Sequence, residues 1–517
     1  MSDKSPNIIY ILGDDHRAEQ LGCMGHPILQ TPNLDALASD GVQFTNAFCT
    51  SPACTPSRTC HYTGQWERRH GINFNSESSL HPDVWEKSFP MQLKQAGYFL
   101  GWVGKNHVPA GGGRYGYDSG YFEDVFDYWY GNHGHSGFYP KEQAGVGREI
   151  YRNAKAETQV EVFEEGVLNF LDPTKEFIES CSHSLPRRPQ KQPFCLCVTF
   201  NLPHAYGTGN MQLRPSDDEL YVTCYRDRFG EVPLPPTYVP FGHIVEPRLP
   251  LEVYNGIYLS SYDYVRQPRS LRERRIREYQ TITGIDRMLG NLRNTLDRLD
   301  LAENTIIVFS TDHGIHHGEH GLGGKCFLYE EDIRIPLIIY DPRRRDKAIA
   351  RTRNELVAVP DLAPTVIDLC GLDIPDSMQG VSICPLLEGE VAEWRTELFT
   401  EQLMDIQNYP RSESVRTTEW KYIRYFARME DPRQASRTFK GTLDDYTECL
   451  TSTFKGERPV YEELFYLRDD PGETTNLVSN SIHTDILESL RVRVTKLARE
   501  AKGDDSPPMT IPFEQGA

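Results

Sequence analysis

Short apolar runs alternate with helical patterns up to about residue 389. The runs are rich in β-branched and aromatic residues and are short enough to be strands buried on both faces. They are Asn7–Leu12, Tyr98–Val103, Phe194–Phe200, Thr305–Phe309 and Ile335–Tyr340. The helical patterns between them are clearest from Thr31 to Gly41 and at Phe89–Ala96, Arg274–Leu299 and Asp361–Leu369. This alternation predicts an α/β fold with a large, mostly parallel mixed sheet flanked by helices.

A different pattern begins near Glu390. Four strand-like runs are followed by one helical segment, Thr484–Lys502, which ends at Gly503. The runs are Leu398–Glu401, Glu413–Thr417, Trp420–Phe426 and Glu463–Leu467. A chain of 517 residues also exceeds what one hydrophobic core usually supports. We therefore predict two domains, a larger one over residues 1–389 and a smaller α+β domain over residues 390–517 with an antiparallel sheet and a closing helix.

Amino-acid composition limits the classes of molecule that the protein is expected to bind. The chain has 55 Lys and Arg against 74 Asp and Glu, a formal net charge of −19. This charge argues against binding to nucleic acid or to an anionic membrane, and an anionic substrate would need a local basic pocket. No apolar stretch approaches the roughly 20 residues of a membrane span, and no signal peptide precedes the first run. We expect a cytoplasmic protein, or a periplasmic or secreted one if an export signal was trimmed.

Polar side chains with metal-binding or acid–base chemistry follow the apolar runs. They are Asp14, Asp15, Lys105, His107, His204, Asp312 and His313. In open α/β sheets, ligands bind beyond the carboxyl ends of the strands. Solvated loop residues would produce one or two such coincidences, whereas a full set favours a site. The aspartates offer hard oxygen ligands for a divalent cation, although a helix N-cap is an alternative for the Asp14–Asp15 pair.

The segment Cys54-Thr55-Pro56-Ser57-Arg58 holds a candidate nucleophile. Pro56 suits the first turn of a helix, so Cys54 would lie at the positive end of the helix dipole, where an anion is stabilised. By itself the pattern is short, and a cysteine beside a chance proline is the alternative.

With its surroundings, this segment resembles the modification motif C-x-P-S-R of the formylglycine-dependent sulfatases, members of the alkaline phosphatase superfamily. The motif leads here into Thr63-Gly64. The resemblance continues through PNIIYILGDD, GYFLGWVGKNH, NLPHA, ENTIIVFSTDHG, GLGGKCFLYEEDIRIPLII and ELFYLRDDPGETTNL. It implies an alkaline-phosphatase-like fold whose catalytic domain is the larger one.

The resemblance also implies the cofactors. Cys54 would be oxidised to formylglycine by a formylglycine-generating enzyme, and its hydrate would complete the shell of one divalent metal ion. The protein ligands would be Asp14, Asp15, Asp312 and His313. Family members commonly have asparagine at the last of these positions. We expect Ca²⁺, and the imidazole keeps Mn²⁺ and Zn²⁺ open.

The family mechanism assigns roles to the remaining residues. Lys105 and Lys325 would neutralise the sulfate, His204 would protonate the leaving oxygen with help from Lys325, and His107 would accept a proton from the formylglycine hydrate. Arg58 would hold the formylglycine and screen the metal carboxylates. Asn75, by resemblance to choline sulfatases and phosphonate monoester hydrolases, would bind the sulfate, with a turn-forming asparagine as the alternative.

Five further histidines are pocket candidates. His133 and His135 lie in a glycine-rich segment that is either a lid or an exposed loop, and His316, His317 and His320 follow the metal strand. The expected reaction is hydrolysis of a carbohydrate, alkyl or aryl sulfate. A phosphonate monoester or phosphodiester hydrolase is the alternative enzyme, and an unmodified anion-binding protein is the alternative outside catalysis. Homo-oligomerisation is left open.

Overall fold

The computed structural model describes residues 5–73, 78–111, 120–134, 159–172, 187–204, 218–254, 260–345, 350–389, 393–403, 409–427, 450–503 and 510–512. Its helices, α1 to α13 in order, are Pro32–Asp40, Cys54–Thr63, Glu67–His70, Pro82–Trp85, Phe89–Gln95, Tyr121–Val125, Gln159–Leu171, Glu219–Val222, Pro268–Arg298, Glu330–Ile333, Leu362–Leu369, Cys384–Glu388 and Thr484–Lys502. Its strands, β1 to β17 in order, are Asn7–Asp14, Val42–Phe48, Ser78–Leu80, Phe99–Asn106, Tyr128–His133, Phe194–Pro203, Thr305–Thr311, His316–His317, Gly323–Gly324, Arg334–Tyr340, Thr352–Arg353, Val357–Ala358, Glu397–Gln402, Ser412–Thr417, Trp420–Tyr425, Tyr461–Tyr466 and Thr510–Pro512.

The central sheet has nine strands in the order β11-β2-β10-β7-β1-β6-β4-β5, with β12 also beside β2. Strand β10 runs antiparallel to β2 and β7, and the other neighbouring strands of this sheet are parallel. The predicted α/β class with a mostly parallel mixed sheet is therefore confirmed.

Alternate side chains of β1 face two separate cores. Ile8 and Tyr10 pack into the core that includes α2, α5 and α11, whereas Ile9 and Ile11 pack into the core that includes α1, α7 and α9. Because both faces are covered, every position of β1 is buried, which explains its continuous apolar sequence.

The C-terminal region forms a four-stranded antiparallel sheet in the order β13-β14-β15-β16. One face packs against α13 through Leu490 and Val494, and residues of the other face, such as Ile423 and Phe465, join the core that contains Cys54. The predicted smaller C-terminal α+β region is confirmed, while its boundary at residue 390 stays a prediction.

Four strands of the central sheet escaped the sequence analysis, namely β2, β5 and the two-residue strands β11 and β12. The two longer ones are informative. Strand β2 carries polar residues at half-buried positions, and β5 is short and ends in a glycine-rich stretch. Both are recognised as strands only through their partners, β10 and β4. Across the described residues, no helix has the length and apolarity that crossing a bilayer requires.

Candidate active site

The carboxyl ends of four adjacent parallel strands, β7, β1, β6 and β4, meet at one edge of the central sheet. Asp14 ends β1, Asp312 follows β7, His204 follows β6, and Lys105 is the penultimate residue of β4. The sheet order thus brings residues from four distant parts of the sequence to the same edge, where ligands of such sheets bind.

Local backbone geometry shapes this edge at two positions. Asp15 has a φ of 63°, a left-handed conformation that aspartate adopts more readily than most residues, and it turns the chain directly after β1. Gly104, before Lys105, has a φ of 106°, and a Cβ there would lie 2.0 Å from the carbonyl oxygen of Thr199. Glycine alone lets β4 approach β6 this closely at the site.

Helix α2 begins at Cys54, and its residues are buried along its whole length. The Cys54 Sγ atom lies 2.8 Å from Lys325 Nζ, 3.3 Å from His313 Nε2 and 3.5 Å from Asp14 Oδ1. The side chain at position 54 is therefore at the positive end of a helix and in contact with both the cationic and the carboxylate groups of the site.

Arg58, one turn further along α2, links α2 to the strand ends. Its Nε lies 3.0 Å from Asp312 Oδ2, and its Nη2 lies 3.5 Å from Asp14 Oδ2. The same Nη2 donates hydrogen bonds of 3.1 Å to the carbonyl oxygens of Gly13 and Phe200. Because its side chain is only 1% exposed, this guanidinium balances two carboxylates away from water.

Lysines neutralise the first two aspartates. Lys105 Nζ lies 2.6 Å from Asp14 Oδ2, and Lys325 Nζ lies 3.1 Å from Asp15 Oδ1. Burial alone raises the pKa of a carboxyl group, but the charge of Lys105, followed by that of His204, holds the pKa of Asp14 well below its usual value. Burial prevails at Asp15, whose pKa is raised although Lys325 opposes the shift.

The donor set fits a divalent cation. Ligand atoms of Asp14, Cys54, Asp312 and His313 lie within 4.8 Å of one another, and so do those of Asp14, Asp15, Cys54 and His204. Asp15 Oδ2 is buried, and no hydrogen-bond partner for it occurs in the described part of the chain. Asp312 Oδ1, in contrast, accepts hydrogen bonds from the backbone of Asp15 and His313, which orients this carboxylate.

His313 lies between the aspartates and Cys54. Its Nδ1 is 2.8 Å from the carbonyl oxygen of Gly314 and 3.4 Å from Asp15 Oδ1, and its Nε2 is 3.7 Å from Asp312 Oδ1. Burial lowers the pKa of this imidazole, but the charges of Asp312 and Cys54 and the hydrogen bond to Cys54 together outweigh burial and raise the pKa to about 9. A cation bound through Nε2 would have to displace that proton.

The loop after β9 carries Lys325 to the site. The backbone N–H of Cys326 donates to the carbonyl oxygen of Pro52, which ties this loop to the residues that precede α2. Tyr262 packs on the loop, since a Cβ at Gly324 would lie 3.0 Å from its ring. Burial raises the pKa of the Tyr262 hydroxyl well above its usual value. The charge of Lys325 lowers this pKa, and the charge of Asp15 raises it.

Two residues near the site were missed by sequence reasoning. Tyr262 lies in the proline-rich segment after residue 207, which has no periodicity to single it out. Ser57 donates a hydrogen bond of 2.5 Å to the backbone carbonyl of Asp312, and its place within the C-x-P-S-R motif was the available signal.

Two further predicted histidines lie at the carboxyl ends of β4 and β5. His107 is buried just beyond β4, and His133 is the last residue of β5, where its Nε2 lies 2.8 Å from Glu123 Oε1. His133 therefore belongs to a strand and is not part of a loop. Asn75 and His135 lie outside the described residues.

Comparison with known proteins places the chain among sulfate-ester hydrolases. The profile of the Sulfatase family matches residues 6–372, and that of the N-sulphoglucosamine sulphohydrolase C-terminal region matches residues 318–434. The chain is 27% identical over 508 residues to N-acetylglucosamine-6-O-sulfatase of Bacteroides thetaiotaomicron, covering 84% of this chain and 83% of that protein. It is 30% identical over 403 residues to iduronate 2-sulfatase of Homo sapiens, covering 71% and 70%. A solved structure with its substrate D-glucosamine-2-N,6-O-disulfate superposes with a TM-score of 0.67 at 22% identity, covering 98% of this chain and 99% of that one.

Proposed function

The chain belongs to the sulfatase family, and on this basis we propose that it hydrolyses the sulfate ester of a saccharide with formylglycine, made from Cys54, as the nucleophile. Sulfate-ester hydrolysis is the activity of the family. The observation that carries the proposal is the position of Cys54, which begins a buried helix and touches a lysine, a histidine and a metal-type carboxylate.

The charges of the site support binding of an anion. Asp14, Asp15 and Asp312 are balanced by Arg58 and two lysines, so a bound divalent cation would make the cluster positive. This local charge would outweigh the net charge of −19 at short range, because buried charges are screened much less than surface charges.

The metal ligands in this proposal are Asp14, Asp15, Asp312 and His313. A divalent cation held there supplies Lewis acidity, which lowers the pKa of a hydroxyl on the formylglycine hydrate and polarises the sulfate. The proximity of His313 to Asp15 and to Asp312 supports this ligand set. Calcium fits the three carboxylates best, and the imidazole admits Mn²⁺ or Zn²⁺.

The lysines and histidines of the chain then have separate tasks. Lys105 and Lys325 bind and orient the sulfate oxygens as point charges, with the amino end of α2 behind position 54. His204, whose Nε2 lies 3.6 Å from Asp15 Oδ2, holds the proton that the leaving alcohol needs. His107 accepts a proton from position 54 when the sulfate is released.

The saccharide assignment rests on relatives. N-acetylglucosamine-6-O-sulfatase and iduronate 2-sulfatase act on sulfated sugars by name, and the structural neighbour holds a sulfated glucosamine. We propose a sulfated amino sugar or uronic acid as the substrate class.

Three experiments test the proposal. Peptide mass spectrometry should show loss of the Cys54 thiol in favour of the aldehyde, and Cys54→Ala should lower kcat/KM by about 10⁶-fold with unchanged circular dichroism. A panel of sulfated monosaccharides, with an aryl sulfate and an aryl phosphonate of the same leaving group, should show turnover of the sulfates. An unmodified thiol in active enzyme would refute the nucleophile, and faster turnover of the phosphonate would refute the sulfatase reaction.

A further inference from the structure

A second cluster of side chains that can bind a metal ion lies apart from the residues of the proposed active site. It consists of His316 on β8, His320 in the turn after it and Glu331 on α10. One ligand atom from each lies within 4.8 Å of the others, and His320 Nε2 is 3.9 Å from Glu331 Oε1. None of the three belongs to the ligand set proposed at Asp14.

The cluster contains buried polar atoms with unused bonding capacity. Among the described residues, no hydrogen-bond partner is found for His316 Nε2, His320 Nε2 or Glu331 Oε2. His316 is fully buried, and the His320 side chain is 4% exposed. Burying such atoms without a partner is costly, so one such atom on each of three clustered side chains indicates a bound group.

The surroundings of His316 match those of a metal-binding imidazole. Its Nδ1 lies 2.7 Å from Asp332 Oδ1, and Asp332 Oδ2 accepts a hydrogen bond from the backbone of Phe327. This carboxylate fixes the ring orientation and occupies Nδ1, so Nε2 is the nitrogen left to act as a ligand atom. Metal-ligating histidines commonly have such a carboxylate behind them.

One member of the cluster, Glu331, lines a cleft, and nearby carboxylates supply negative charge. Glu331 lines a cleft of about 410 Å³ together with Arg17, Glu19 and Glu330. Arg17 is paired with Glu319, so its charge is balanced. Asp332 adds a further carboxylate behind His316, and the local charge therefore tolerates a dication.

We propose that His316, His320 and Glu331 form a second metal site that takes Zn²⁺ or a similar borderline divalent ion. Two imidazoles and one carboxylate are a donor set that zinc accepts, with a fourth position for water from the cleft. Calcium prefers an all-oxygen shell and is excluded by the same chemistry.

The site would fasten the segment from His313 to Lys325, which supplies two residues of the proposed active site. Backbone hydrogen bonds already join Gly314 to Asp332 and Ile315 to Glu331. A metal bridge from β8 to α10 would add a stronger link across the same contact. Because His313 and Lys325 are the two ends of this segment, the ion would stabilise their positions without contacting the substrate.

The experiment uses chelated full-length protein whose first site is saturated with Ca²⁺. Titration with Co²⁺, followed by visible absorbance, should show one bound equivalent in an imidazole-containing site. We expect His316→Gln and Glu331→Gln to weaken this binding at least about 100-fold and to lower the gain in Tm on adding Zn²⁺.

His317→Gln is the matched control. His317 is the neighbour of His316 on β8, but its Nε2 lies 3.2 Å from Glu278 Oε2, outside the cluster. This variant should bind Co²⁺ as the wild type does. Absence of a second bound cation in the wild type, or an unchanged affinity in His316→Gln, would overturn the proposal.

Discussion

Arg58→Met would test how strongly the clustered carboxylates of the candidate site depend on one buried cation. The substitution keeps an apolar stem of similar length and removes the guanidinium that pairs with Asp312 and approaches Asp14. It also removes the donor for the carbonyl oxygens of Gly13 and Phe200. Loss of one partner from a buried pair costs about 3–5 kcal/mol, so we expect a destabilisation of about 4 kcal/mol.

This free energy converts to a measurable shift of Tm. An unfolding entropy of about 2.1 cal/mol/K per residue gives roughly 1.1 kcal/mol/K for 517 residues. Arg58→Met should therefore lower Tm by roughly 4 °C in chelated protein, measured by circular dichroism. The fall should be smaller with Ca²⁺ present, because the cation replaces part of the lost positive charge.

Arg228→Met is the control for this experiment. Arg228 also pairs with a carboxylate, at 2.8 Å from Glu231, but the two side chains are 37% and 63% exposed. Exposed pairs contribute about 0.2–1 kcal/mol, so Tm should fall by less than about 1 °C. Equal shifts in the two variants would refute the reasoning, since burial is the feature that distinguishes the two arginines.

Four further predictions concern the mechanism and the pH dependence. His107→Ala should release one equivalent of alcohol per enzyme and then stall, as rapid-quench kinetics would show; a slow first turnover would remove His107 from the role of base. Chelation should abolish hydrolysis with a modest fall in Tm, and Ca²⁺ or Mn²⁺ should restore it. His313→Asn should shift the preference toward Ca²⁺, because an amide oxygen is a harder ligand, and an unchanged preference would exclude His313 as a ligand. Burial raises the pKa of Glu278, but His317, Arg274 and Arg275 together outweigh burial and lower it from 4.5 to about 2. The stability that Glu278 provides is therefore present above the unfolded pKa and is lost as pH falls toward the folded one. Urea midpoints should fall more steeply from about pH 5 to about pH 3 in the wild type than in Glu278→Gln, and parallel curves would contradict this.

The amino-acid sequence by itself determined the fold class and predicted which polar residues would meet at one edge of the sheet. Strands such as β1 and β6 are buried on both faces, so they appear as unbroken apolar runs, and the polar residues that follow them stand out. Parallel strands place those residues at one edge, which is why Asp14 and Asp312 could be grouped from sequence. The family resemblance then identified sulfate-ester hydrolysis, and the Cys54 motif predicts the nucleophile.

The tertiary structure decided what pattern and spacing do not encode. Lys325 touches Cys54 because the loop after β9 is tied to Pro52, a contact between distant parts of the chain. Strand β2 has a mixed polar pattern and becomes a strand through pairing with β10. His316, His320 and Glu331 meet because β8 packs beside α10. Each of these features depends on the packing of elements far apart in sequence, whereas local hydrophobic periodicity reports only which face of an element is buried.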